Sequence, residues 1–581
     1  MTHIVSENFH PLAPTVCRAV RLKRERVRLA RRNILLLTAA CLLTAPVAAQ
    51  SPPTAAVPLP VYDLRVALDL VEPRMAVTAR IVLPTATEAR SSVSFALSEL
   101  FPDAHVDLAT PSMHFDSLRI EKTNRSYSRP GWGTNTWAIT PRQPIPGGEP
   151  VTLVVSYTGA GDLKSFVFSL GASAAFAAGQ NSAWYPEIEE GMPHPAGRLR
   201  GLRGTGRLTL EIDSGIVAYS AGRMTTLRGE GRRRTMRFDV TKPMYFSFAA
   251  GPFITTNGTY YLKRRSSAHS DGARAREVLR VMEEEFGPHP FGQFAVVEVP
   301  ASDADRAGFA GASADGFIMA SSEFLDKPFN TAYYGHEIAH QWWGVTVRPT
   351  GPRGVWMLSE AMAQYGSLRA VEKIDGRRAA ERYRRDEYPG YLGLGGKSYF
   401  ALAAAGHDAP LADLPLDGEW SRPLANSKGF MAWNALSLEI GRKRFRRILA
   451  DIVRRHSTTR MTWAAFLDEV STRAGQDLSW FFTEWFDRSG VPEWSVISER
   501  SHASSAMKIH SLVAYRASVR VDIASAHCAR VSKVLLLRNE YTDVPTVPTR
   551  CGPTSIVVDP MYEIIHWTPE LRRAFATPPS Q

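Results

Sequence analysis

Gly335-His336-Glu337-Ile338-Ala339-His340-Gln341-Trp342-Trp343-Gly344 is the stretch that decides the reading of this chain. Asn330 before it and Gly344 after it are start and stop signals, so the spacing predicts a helix over 331–343. Residues four apart share one helical face. His336 and His340 can therefore point two imidazole nitrogens at one metal ion, with Glu337 one position round toward a water held there. A surface helix carrying two histidines produces the same string by chance. A catalytic zinc needs three protein ligands and an open position, and the search for the third leads to Glu360. It lies on a predicted helix over 355–374, after the breakers Gly351, Pro352 and Gly354, among the apolar residues Met357, Leu358, Ala361 and Met362. A solvated carboxylate is the plain reading of Glu360 alone. On a buried face an unpaired carboxylate is costly, and a metal resolves that cost.

Working outward, the 581 residues are too many for one core and predict about three domains. Hydrophobic residues make up 44% and charged ones 22%, as in ordinary soluble proteins. The formal charge of +12 raises a nucleic-acid reading. Residues 1–49 hold eight Lys and Arg against Glu7 and Glu25, half of that excess, and the rest is spread too thinly to track phosphates, so no nucleic-acid partner is expected. The same segment reads as an export leader: a basic stretch to Arg32, an apolar run from Ile34 to Leu43, then Val47-Ala48-Ala49 with cleavage expected after Ala49. Ile34 to Ala49 is 16 residues and contains Pro46, short of the roughly 20 that span a bilayer. The mature chain is then expected to have no transmembrane helix and to be periplasmic or extracellular, or membrane-associated if the leader stays attached. Cys528 and Cys551 are the two of four cysteines left after the leader, too few for a cysteine-based zinc site; one disulfide is expected in an oxidising compartment, two buried thiols being the alternative.

The predicted fold class is α+β multidomain. After a leader (1–49) and a Pro-rich linker (50–60), residues 61–255 alternate apolar and polar in short runs, as in Leu64, Val66, Leu68 and Leu70, and read as an N-terminal β domain. Over 256–490 the period is mostly helical, with expected helices at 428–440 after Ser427 and at 463–474 after Thr462. Strand-like runs at 512–523, 534–537 and 555–558 close the chain as a small β sandwich over 491–575.

His336 to Gly344, followed by Leu358-Ser359-Glu360-Ala361-Met362-Ala363-Gln364-Tyr365, resembles the gluzincin aminopeptidases of the membrane alanyl aminopeptidase family. Trp184-Tyr185-Pro186, Lys428-Gly429 and the run from Trp485 to Pro492 agree in order, so the likeness covers roughly 60–570. The resemblance implies a thermolysin-like catalytic domain, one Zn2+ ion on His336, His340 and Glu360, and Glu337 as the general base toward the zinc-bound water. It implies hydrolysis of a peptide or protein substrate.

Three departures mark the chain as a divergent, bacterial-type member. The family anchors a substrate's amino group with a glutamate where this sequence has Ala314; Asp315 reaches the same place if the loop shifts by one residue, though a turn aspartate before Gly316 is the plainer reading. The family's oxyanion-donating tyrosine is replaced by Asn426, whose amide can also donate and which reads equally as a helix-entry residue. Tyr388, Tyr391 and Tyr399 are nearby substitutes that read as packing residues. Nineteen residues separate His340 from Glu360 where the best-known members have eighteen, a difference that the loop absorbs. The leading expectation is a zinc metallopeptidase, an aminopeptidase or one less dependent on a free amino terminus. A metal-binding, catalytically weak relative acting as a peptide-binding module is the alternative, and zinc hydrolysis of a non-peptide substrate is a third reading.

Overall fold

Tyr62, Leu64, Val66 and Leu68 all point inward from strand Val61–Asp69, and Met75, Val77, Ala79 and Ile81 do the same from Arg74–Val82, as period-two alternation requires. In the computed structural model the described residues run from 58 to 576, apart from 112–114, 116, 126–131, 190–200, 228–230, 264–266, 389–395, 458, 502–503, 546–550 and 552–553. The leader, most of the linker and Tyr391 lie outside them. The two strands sit in a seven-stranded sheet ordered Arg223–Leu227, Arg233–Met244, Gly204–Asp213, Val61–Asp69, Arg74–Val82, Thr152–Ala160 and His105–Ala109. All its pairings are antiparallel except that of Val61–Asp69 with Gly204–Asp213. A four-stranded sheet and a small five-stranded one complete the β region, around a core that includes Trp137, Trp184 and Tyr185.

The helical region opens with a sheet that the sequence reading missed. Strands Ile254–Thr256, Thr259–Tyr261, Ala295–Val299, Phe317–Ser321 and Gly311–Ala314 lie side by side in that order, so residues 254–256 pair with this sheet. Ala295–Val299 and Phe317–Ser321 are buried at every position, and such strands show no alternation to read. Gly311–Ala314 is the edge strand, antiparallel to Phe317–Ser321.

Two helical segments then meet at glycines. A Cβ on Gly335 would stand 2.9 Å from the Ser367 Cα, and one on Gly366 would stand 2.6 Å from the Ala339 Cβ. Only hydrogen fits at both points, so the backbones of Thr331–Ala339 and Met362–Ala370 come close enough for their side chains to share one site. The first helix stops four residues before the predicted 343. Gln341 and Trp342 N–H groups bond the carbonyls of Ile338 and Ala339, a tighter three-residue closure, and Gly344 turns the chain at φ +90°.

Helices Phe430–Ile440, Arg442–His456 and Trp463–Ala474 follow, the last capped by Thr462 and ended by the left-handed Gly475 as expected. The start predicted at Lys428 is corrected: helical structure begins at Ser421, and Ser427 is interior, its hydroxyl donating to the Pro423 carbonyl at 2.7 Å. Two three-stranded sheets form the C-terminal sandwich. The predicted strand 512–523 is divided between Ser504–Val513 and Ala517–Ser525, and a short helix, Pro569–Ala576, follows the last strand. Cys528 and Cys551 are disulfide-bonded, with Cα atoms 5.1 Å apart. The helical region and sandwich share one apolar cluster, from Tyr261 through Trp433 to Trp567.

Candidate metal centre

His336 sits in the last turn of Thr331–Ala339 and His340 caps that helix, whose start is fixed by the Asn330 side chain accepting from the Ala332 and Tyr333 N–H groups. Glu360 lies in a π-helical turn, Met357–Ala361, that runs into Met362–Ala370. A second π turn, Ala425–Gly429, carries Asn426. Such turns insert one residue per helical cycle and re-aim the side chains they carry. The two π turns touch at Gly429, where a Cβ would stand 2.8 Å from that of Ala361.

Three donor atoms converge there. His336 Nε2 and His340 Nε2 are 3.2 Å apart, Glu360 Oε2 lies 3.5 Å from the first, and Glu360 Oε1 lies 3.8 Å from the second. Ligands at about 2.1 Å around a tetrahedral zinc stand about 3.4 Å from one another, and one donor atom from each of the three residues lies within 4.8 Å of the others, so a small closing of side chains would bring the set to that size. The protonation state also fits. His340 Nδ1 is 3.0 Å from the Trp343 carbonyl oxygen, which can only accept; Nδ1 therefore carries the proton and Nε2 presents its lone pair to the cluster. Burial and the neighbouring His336 push the His340 pKa down, favouring the neutral ring that a metal requires.

Glu360 has two side-chain supports besides the histidines. Arg422 Nε donates to its Oε2 at 3.1 Å, and Asn426 Nδ2 donates to the same oxygen at 3.1 Å. Burial would raise the Glu360 pKa, but Arg422, His336 and His340 together hold it well below the usual carboxylate range, so the carboxylate is ionised as a ligand must be.

Glu337 is buried beside the cluster without belonging to the triangle. Gly311 of the edge strand lies against it: a Cβ there would be 2.7 Å from the Glu337 carboxyl carbon. Burial pushes its pKa up to about 7, against the pull of His340 and Arg422, and this is the range of a proton acceptor working near neutral pH. The Ser313 hydroxyl donates to the Glu337 backbone carbonyl. Gln341 ties the same hairpin to the helix: its amide donates to the Ala314 and Phe317 carbonyls at 2.9 and 3.2 Å and accepts from the Gly316 N–H at 2.9 Å.

Of the two readings of Asp315, amine anchor or turn aspartate, the structure corrects the first. Its side chain is fully buried, Oδ2 accepting from the Tyr245 N–H at 3.0 Å and lying 3.6 Å from Arg203 Nε. It links the hairpin to the β region. Ala314 is equally buried. Asn426 joins the site, but with its amide on Glu360. Tyr399 donates to Asp408 and Tyr388 to Asp375, so neither hydroxyl is directed to the ligands. Trp342 and Trp343 are core residues, and the Lys428 ammonium is buried against Asp408 at 3.1 Å.

The sequence reading missed Arg422 and Gln341. Arg422 stands between Ser421 and Pro423, where an arginine looks like a solvated loop residue; only its place one helical turn before Asn426 could have flagged it.

Solved structures share this arrangement of sheets and helices. An M1 zinc metallopeptidase of Deinococcus radiodurans, solved as a point mutant bound to a Tyr-Ser-Ala substrate, is 17% identical, with 75% of this chain and 96% of that one covered at a TM-score of 0.54. The fold is that of the M1 zinc metallopeptidases. A further structure of an M1 zinc metallopeptidase from Deinococcus radiodurans aligns at 17% identity over 75% of this chain and 95% of its own, with a TM-score of 0.53. A two-domain M1 zinc metallopeptidase mutant bound to L-arginine aligns at 16% identity over 75% and 96%, again with a TM-score of 0.53. No family model and no curated protein matches the sequence.

Proposed function

We propose that this protein is a zinc-dependent peptidase in which His336, His340 and Glu360 hold one Zn2+ ion and Glu337 is the general base. The observation that carries the reading is the preformed N, N, O triangle with a buried carboxylate of raised pKa beside it. A closed structural site needs no such base. The M1 fold, with relatives solved in complex with a tripeptide substrate and an amino acid, supports a peptide as the ligand class.

Zinc, when bound, supplies Lewis acidity that polarises the scissile carbonyl and makes a coordinated water acidic. The chain does the rest. Glu337 accepts the water's proton as its oxygen attacks the carbonyl carbon, then returns a proton to the departing amine. Asn426 and Arg422 fix the Glu360 carboxylate, and Gln341 and Ser313 hold the edge strand against the helix that carries the base.

With Ala314 and Asp315 both buried, neither side chain can receive a substrate's ammonium group. Weak dependence on a free amino terminus follows. Zinc-loaded protein should cleave a peptide and its N-acetylated copy with kcat/KM values of the same order, measured by chromatography of the products. Strong discrimination against the acetylated copy would show that another residue anchors the amine. Cleavage of neither, with zinc bound, would favour the peptide-binding module, the reading that the engagement of Asn426 by Glu360 otherwise supports.

An exported location is part of the same proposal. It is supported by the leader-like segment 1–49 and by the Cys528–Cys551 disulfide, which persists in an oxidising compartment. Among the described residues no helix is long and apolar enough to cross a membrane.

A further inference from the structure

Hydrolysis of an amide through a tetrahedral state needs a hydrogen-bond donor where the carbonyl oxygen becomes negative. Among the described residues, those expected to provide one are otherwise engaged. Asn426 is fully buried with its NH2 on Glu360, and the hydroxyls of Tyr388 and Tyr399 are bonded to Asp375 and Asp408. Arg422 is in a different position. Only its Nε is used, on Glu360 Oε2 at 3.1 Å, and its two terminal NH2 groups have no partner among the described residues. Its side chain is 56% exposed while the carboxylate it holds is 15% exposed, so the guanidinium spans from the buried ligand to solvent. The oxyanion must form beside the metal, and Arg422 is one hydrogen bond away from a metal ligand.

We propose that Arg422 is a catalytic residue of this site, donating from its terminal NH2 groups to the substrate oxyanion. This rests on the peptidase reading above. As the water oxygen bonds to the carbonyl carbon, the C=O π pair moves onto oxygen and Arg422 N–H groups donate to it. Collapse re-forms C=O and breaks the C–N bond, and the amine leaves with the proton that Glu337 had taken. The cation matches the developing charge, and its Nε–Glu360 bond fixes it before substrate arrives, so little reorganisation is needed. An arginine is also cationic at any working pH, whereas a tyrosine donor is neutral and loses its one proton above about pH 10.

The alternative is that Arg422 only orients Glu360, and a test must separate the two. Arg422→Ala and Arg422→Lys would be compared with wild type in zinc affinity, in KM and kcat for a peptide, and in affinity for a phosphinic peptide whose tetrahedral anion imitates the oxyanion. Arg422→Ala removes a bond to Glu360 and should weaken zinc binding by about 10 to 100-fold, so it is assayed with zinc saturating; the expected result there is a loss of about 10²–10³-fold in both kcat and phosphinate affinity, with KM little changed. Arg422→Lys should recover part of both losses, as a point charge without the fork. A loss of kcat that follows loss of zinc and is restored by added zinc would overturn the proposal, as would unchanged phosphinate binding. Wild-type protein that binds the phosphinate through Arg422 yet turns over no peptide would sink the peptidase reading alone. Peptide turnover untouched by Arg422→Ala would sink the arginine's role alone.

Discussion

Glu337→Gln should reduce kcat by about 10²–10⁴-fold while zinc content and melting temperature stay close to wild type. Glutamine has the size and shape of glutamate, and Gly311, whose backbone lies against the carboxyl group, leaves the same room for it. What the variant lacks is a proton acceptor. Because Glu337 is outside the His336–His340–Glu360 triangle, the metal should be retained. Removal of a buried group with a raised pKa should, if anything, relieve a desolvation cost. Steady-state kinetics with parallel metal analysis would check this. Wild-type turnover in the variant would mean that another group is the base, or that the activity comes from a contaminant.

The second large effect is expected at Glu360→Ala. Losing this ligand leaves two imidazoles, and the variant also strips Arg422 and Asn426 of the oxygen they share. Zinc affinity should fall by more than about 10²-fold, since loss of even a supporting hydrogen bond to a ligand costs about 10 to 100-fold. The stabilisation that saturating zinc gives the wild type should shrink accordingly, by about 2.7 kcal/mol for each hundredfold of affinity lost. Thermal melts across a zinc titration would measure it. A variant that binds zinc like the wild type would place the metal elsewhere.

The ligands were legible because their signals are local. His336 and His340 are four apart on a helix whose start Asn330 announces, and Glu360 stands among apolar neighbours that predict its burial. The β region was legible for the same reason, since strands with one wet face alternate. The buried strands Ala295–Val299 and Phe317–Ser321 have no wet face, so the helical reading of 256–490 passes over the sheet whose edge strand lies against Glu337. Longer-range pairings were out of reach. That Asp315 answers Arg203, more than a hundred positions earlier, depends on how the β region docks, and no spacing rule encodes it. The roles of Arg422 and Asn426 depend on π turns packed at Gly429, and a helical pattern read from Ser427 onward hid both the turn and the arginine before it.

The most direct test of the account is anomalous diffraction at the zinc edge from crystals of the wild-type protein grown without added metal. One strong peak bonded to His336 Nε2, His340 Nε2 and a Glu360 oxygen, with a fourth position open toward Glu337, is the predicted result. No peak at these atoms, or a zinc closed off by a fourth protein ligand, would contradict it.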